Sequence, residues 1–140
     1  MPRETAESAE QAFYDAFGRG ETDAMMALWK PVGDVLCIHP MGPILTDLDT
    51  IRKSWLEIFA TPIERKITAE LLAETRTSQC VVRAVIEYFS IPGRPETFAP
   101  VFATNTFWRG DGGWYIAAHH ASPGQIQEPE LAVEEGQTRH

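Results

Sequence analysis

The spacing of apolar residues changes near Pro62 from helical to strand-like, and this one switch constrains the fold more than any other feature. Before it, Ala9, Phe13, Ala16 and Phe17 recur at helical spacing, predicting a helix over residues 5–19 that stops at Gly18 and Gly20. Thr22 or Asp23 can cap a second, shorter helix carrying Met25, Met26, Leu28 and Trp29, which Pro31 ends. Residues 34–39 are β-branched and apolar and run into Pro40-Met41-Gly42-Pro43, so they read as a strand. Thr46-Asp47-Leu48-Asp49 resembles a capping box, and Ile51, Trp55, Ile58 and Phe59 then share one face of a third helix.

After Pro62 the pattern predicts strands near 66–75, 78–91, 97–109 and 114–122. Pro92-Gly93-Arg94-Pro95 and Gly110-Asp111-Gly112-Gly113 supply turns, so these strands form an antiparallel meander. The 140 residues suit one domain over 1–125, and the acidic, apolar-poor stretch 126–140 reads as a flexible tail. The expected fold class is α+β, with N-terminal helices packed on an antiparallel sheet.

Charge narrows the function. A net charge of −8 with no Lys/Arg cluster argues against nucleic acid and anionic membrane surfaces as partners. The apolar runs fall short of the ~20 residues that span a bilayer, and no signal-peptide stretch follows Met1, so a cytoplasmic location is expected. Cys37 and Cys80 sit in apolar strand-like stretches and read as reduced, buried thiols. No phosphate loop, nucleophile elbow or metal-ligand spacing is present, so neither a cofactor nor a metal is expected.

The order helix, helix, strand, helix, long strands resembles the nuclear transport factor 2-like superfamily, which includes ketosteroid isomerase and the SnoaL-like polyketide cyclases. The resemblance spans about residues 8–123. It is carried by Phe13-Tyr14-Asp15-Ala16-Phe17, Gly20-Glu21-Thr22-Asp23-Ala24-Met25 with Ala27-Leu28-Trp29, Val35-Leu36-Cys37-Ile38-His39-Pro40, Gly113-Trp114-Tyr115-Ile116 and His119-His120-Ala121-Ser122. It implies a strongly curved, cone-shaped antiparallel sheet with the N-terminal helices packed on its concave face around a pocket for a small, largely apolar organic ligand, built as a homodimer through the convex sheet face, where Tyr88 and Tyr115 or their neighbours would lie. Two readings stay open: a cofactor-independent isomerase, cyclase or dehydratase, and a non-catalytic ligand-binding or assembly module.

The same resemblance places His39 where ketosteroid isomerase has its carboxylate base, Tyr14 at its phenolic oxyanion donor, and Asn105 at its protonated carboxylic acid. An imidazole titrates near neutrality without tuning, which suits His39 to proton transfer. Trp29, Trp55, Phe59 and Phe107 are expected to wall the pocket, though in sequence a pocket wall and a core look alike. His119 and His120 are adjacent on a strand and must point to opposite faces, so they cannot share a metal ion. Counted from an inward Trp114 and Ile116, His120 faces the pocket and His119 points away, unless a bulge reverses them. Glu87 interrupts the apolar run 81–89, and its direction is left open.

Overall fold

The computed structural model describes residues 3–94 and 98–124. The chain runs α1 (Ala6–Arg19), α2 (Thr22–Met26), β1 (Leu36–Ile38), α3 (Leu48–Phe59), β2 (Lys66–Arg76), β3 (Cys80–Ser90), β4 (Val101–Gly110) and β5 (Gly113–Pro123). The five strands form one curled sheet in the order β1-β5-β4-β3-β2, antiparallel except where β1 runs parallel to β5. The α+β class and the curled sheet are therefore as the sequence predicts. Residues 126–140 and Pro95, on which the tail and part of one turn depend, lie outside the described residues.

Local chemistry sets the helix ends. Thr5 and Ser8 form a reciprocal capping box at the start of α1, and Gly20 ends it in the left-handed region at φ 69°. Asp47 caps α3 by accepting the Thr50 amide, so its partner is Thr50 and not Asp49. Two elements are shorter than predicted. α2 starts without a side-chain cap and ends at Met26, because Leu28 and Lys30 exchange backbone hydrogen bonds with Ile116 at 2.8 Å each and Trp29 bridges to it. β1 stops at Ile38, since Cys37 pairs with Leu45 and the chain turns at His39, whose carbonyl accepts the Gly42 amide.

The sheet's concave face carries Ile67, Val81, Val85, Ala103, Phe107 and Ile116, and against it pack Phe13 and Phe17 of α1, Ile51 and Trp55 of α3, and Met25 and Trp29. Phe13, Phe17, Trp55 and Phe59 interlock edge to face or stacked, with ring centroids 4.9–6.4 Å apart. The interior of the cone is thus largely filled by aromatic rings. Cys37 and Cys80 are both free thiols, and burial raises Cys37 to about 12, which makes it inert. No helix among the described residues is long and apolar enough to cross a membrane.

A bulge in β5 decides which residues meet the core. Phe107 pairs with Ile116 but Thr106 pairs with Ala118, so Ala117 is an extra residue and the alternation reverses beyond it. His119 then turns inward and is fully buried, while His120 lies outside opposite Thr104. The expectation that His120 shares the face of Trp114 and Ile116 is corrected by this one inserted residue.

Candidate functional site

Five buried side chains from α1, β3, β4 and β5 form a continuous hydrogen-bonded network. Tyr14 Oη lies 2.6 Å from Glu87 Oε2, Asn105 Nδ2 lies 3.0 Å from both Tyr14 Oη and Glu10 Oε2, and His119 Nδ1 lies 2.7 Å from Asn105 Oδ1. Proton counting fixes its direction. Glu10 is acceptor-only when ionised, so the Asn105 amide nitrogen must face it, and the amide spends its two protons on Glu10 and Tyr14. The Asn105 oxygen then accepts from His119 Nδ1–H, and Tyr14 donates its single proton to Glu87. Every bond in the line points towards Glu87.

Glu10 is further held by Arg83, whose Nε donates to Glu10 Oε1 at 2.8 Å, and Arg83 also bonds Glu74 and lies 3.6 Å from Glu7. Glu87, by contrast, has no cation within ion-pair distance among the described residues, and its one hydrogen bond comes from Tyr14. Burial pushes its carboxyl up to about 7, with Glu10 adding repulsion and the Tyr14 bond opposing. Burial also raises the Tyr14 phenol far above its usual range. His119 is driven down to about 3 by burial and then by His39 and His120, so it stays a neutral Nδ1–H imidazole.

These displacements predict opposite pH dependences. His119 unfolded takes a proton that His119 folded refuses, so stability is complete above pH 6.5 and is lost as pH falls towards 3. Glu87 unfolded ionises near 4.5 while Glu87 folded waits until about 7, so the folded state is penalised as pH rises through that window. At ~1.4 kcal/mol per pH unit that penalty amounts to about 3 kcal/mol. Glu87→Gln should therefore gain about 3 kcal/mol relative to the parent between pH 4.5 and 8 in urea unfolding. A gap independent of pH would show that the carboxyl reaches solvent.

His39 forms a second cluster. It is half-buried at the turn after β1, its ring is edge-on to Trp55 at 4.7 Å between centroids, and its centroid is 6.3 Å from that of His119. The Ser54 hydroxyl gives its one proton to the Ile51 carbonyl at 2.6 Å, so in the 2.8 Å contact with Ser54 the donor is His39 Nε2. Neutral His39 is then the Nε2–H tautomer with Nδ1 as its basic nitrogen. Burial lowers its pKa below 6.5, so it is unprotonated at neutral pH.

A cleft of about 750 Å³ opens between the C-terminal half of α1, the end of α3 with the loop after it, and the start of β2. Tyr14 and Phe59 line it beside Gly18, Ile67 and Thr68, with Arg65 and Lys66 among its charged residues. Gly18 is needed there, since a Cβ would come within 2.9 Å of the Arg65 carbonyl oxygen. Of the residues singled out in the sequence, Tyr14 and Asn105 meet directly, and only Tyr14 and Phe59 reach the cleft. Trp29, Trp55 and Phe107 lie in the closed core, His39 lies on the Trp55 side away from the cleft lining, and His120 borders a shallow groove on the outer sheet face. Glu10, Ser54 and Arg83 were not anticipated, His119 was foreseen only as the inward residue should a bulge intervene, and Glu87 signalled itself only as a charge within an apolar strand.

The family model of the SnoaL-like domain matches residues 6–125. A structure from Thiobacillus denitrificans, named as a candidate calcium/calmodulin-dependent protein kinase type II association domain, is 33% identical with a TM-score of 0.82, covering 89% of this chain and 99% of its own. A candidate dehydratase of the NTF2-like family from Streptomyces avermitilis is 30% identical with a TM-score of 0.72, covering 86% of this chain and 94% of its own. A ketosteroid isomerase-like protein from Erwinia carotovora atroseptica shares the fold at 16% identity, with a TM-score of 0.67 over 86% of this chain and 94% of its own. No curated protein matches. The curled sheet with its packed helices is the architecture of the NTF2-like superfamily. Within that superfamily, the chain belongs to the SnoaL-like domain family.

Proposed function

We propose that the protein is a small-molecule pocket protein that carries out cofactor-independent proton transfer on a small, largely apolar carbonyl compound, as an isomerase, cyclase or dehydratase. The observation that carries this reading is the buried line from His119 to Glu87, one member of which, Tyr14, also lines the cleft. A core needing only stability gains nothing from a carboxyl buried without a cation, and such groups gather where protons are handled. The candidate dehydratase of 30% identity agrees with this chemistry.

In this reading Tyr14 touches the ligand oxygen, Asn105 positions Tyr14, and His39 Nδ1 accepts the proton. A substrate reaching both Tyr14 and His39 has to move the Phe59 ring off its stack on Trp55, which Phe59 can allow as the half-buried last residue of α3. Phe59, which already lines the cleft, then supplies its apolar wall. Screening small ketones and enolisable lactones for proton exchange in deuterated water tests the reading. Exchange that disappears in Tyr14→Phe supports it, and no exchange across a broad screen contradicts it.

A second reading is favoured by the outer sheet face, where Leu72, Phe102 and His120 border a groove of about 240 Å³ and Leu72 and Tyr88 are 54% and 38% exposed. The relative at 33% identity named as a candidate association domain fits a module that assembles through this face. A homodimer serves both readings, since a second copy covers such a face with a self-complementary contact. Light scattering at micromolar concentration should give twice the 15.7 kDa chain mass. A monomer mass would contradict it.

A further inference from the structure

We propose that Glu87 sets the hydrogen-bonding polarity of the cleft: ionised, it holds the Tyr14 proton and leaves only an acceptor facing the ligand, and protonated, it frees the Tyr14 O–H for a carbonyl oxygen. A carbonyl compound then binds with uptake of one proton from solvent by Glu87, whereas a hydroxyl or N–H ligand prefers the ionised form. The ligand half of this inference rests on the small-molecule reading above, and the switch itself does not.

The geometry leaves Tyr14 few choices. Its oxygen already accepts from Asn105 Nδ2, which is held in that orientation by Glu10, and an ionised Glu87 offers only lone pairs. So the phenolic proton must lie on the Glu87 side at 2.6 Å, and Tyr14, which lines the cleft, has no proton left to offer a ligand there. Once the carboxyl is protonated it can itself donate to the Tyr14 oxygen. The phenolic proton is then released towards the cleft, which Tyr14 lines.

The surroundings of Glu87 keep the switch within reach of neutral pH. From α1 it is faced by Tyr14 and the Glu10 carboxylate, and its register partners, Ala69 on β2 and Val101 on β4, are uncharged. β5 contributes His119, which is neutral and joined to it only through Asn105 and Tyr14. α3 presents Trp55 and Phe59, and Arg83 on its own strand is engaged by Glu7, Glu10 and Glu74. The cleft's charged side chains are Asp15, Arg19, Glu21, Glu64 and Lys66, all exposed, and the half-buried Arg65. With no cation to hold it ionised, Glu87 changes state close to pH 7.

The test labels the tyrosine ring carbon Cζ with ¹³C and follows it by NMR from pH 4.5 to 9 without ligand, Tyr14→Phe assigning the resonance. The Tyr14 signal should shift with one midpoint near 7, match the titration of the ¹³C-labelled Glu87 carboxyl, and stay flat in Glu87→Gln. A flat signal in the parent overturns the inference, as does a shift that survives in Glu87→Gln and so belongs to His39. The carboxyl titration in the parent stands alone if Glu87→Gln does not fold. Acetophenone, neutral throughout, serves as the carbonyl probe, and its affinity should fall about tenfold per pH unit above the midpoint. Binding that is independent of pH refutes the switch and keeps the pocket. Coincident titrations with no acetophenone binding keep the switch and refute the small-molecule reading.

Discussion

Replacing Arg83 with Met should destabilise the fold by about 3–5 kcal/mol, the cost of leaving a buried charge without its partner. Arg83 is 12% exposed as a side chain and Glu10 is 8% exposed, so neither charge can turn to water without moving α1 off the sheet. Once Arg83 is gone, the Glu10 carboxylate keeps only the Asn105 amide as a partner. Glu7 and Glu74, which also share Arg83, add repulsion near the same place. In thermal unfolding the loss should lower Tm by about 10–20 °C for a domain of this size. A loss below about 1 kcal/mol would mean that Glu10 swings into solvent, and the orientation of Asn105 would then no longer be fixed by it. The same variant links fold to site, since a freed Asn105 amide can flip and present its oxygen to Tyr14.

On the proposed proton-transfer reading, the largest catalytic effect is expected at His39. His39→Ala should lower turnover by about 10²–10⁴, the usual worth of a general base, with little change in stability because the ring is only half-buried. Ser54→Ala acts through the same nitrogen, by removing the acceptor that keeps Nε2 protonated and Nδ1 basic. It is a positioning change, so it should move the pH profile as well as the rate. Activity in the parent should rise with pH through a midpoint below 6.5, because burial lowers His39 and the neutral ring is the active form, and fall again above about 7 as Glu87 ionises and takes the Tyr14 proton from the substrate oxygen. Tyr14→Phe should cost up to about 10²–10³ through loss of one oxyanion donor. Full activity in His39→Ala would transfer the proton-accepting role to the Tyr14–Glu87 pair, whose profile would instead turn near pH 7.

The helices and the meander were legible because each rests on a local signal, period, cap or turn residue, and the curl of the sheet came with the resemblance. Tyr14 and Asn105 were legible by resemblance, and the structure brings them within 3.0 Å. The His119/His120 choice was not, because Trp114 to Ser122 contains no residue that marks Ala117 as extra. Either parity places an imidazole inward, and only pairing with Thr106 and Phe107 of β4 selects His119. Glu87 was seen and left unassigned, since its burial depends on a hydroxyl 73 residues away in sequence. The pocket walls were misjudged for a related reason: Trp29, Trp55 and Phe107 have the composition of a wall, but they fill the cone, and the open cleft lies beside α1 and β2. Volume is a property of packing, and one sequence does not carry it.

The account turns on the cleft beside Tyr14 being where a small molecule sits, and backbone amide shift mapping reads this directly. With the ¹⁵N-labelled protein titrated against acetophenone and a series of small cyclic ketones, saturable shifts should cluster on Tyr14, Gly18, Phe59, Ile67 and Thr68. Shifts confined to the outer face around Leu72, Phe102 and His120, or none that saturate with any member of the series, would contradict it.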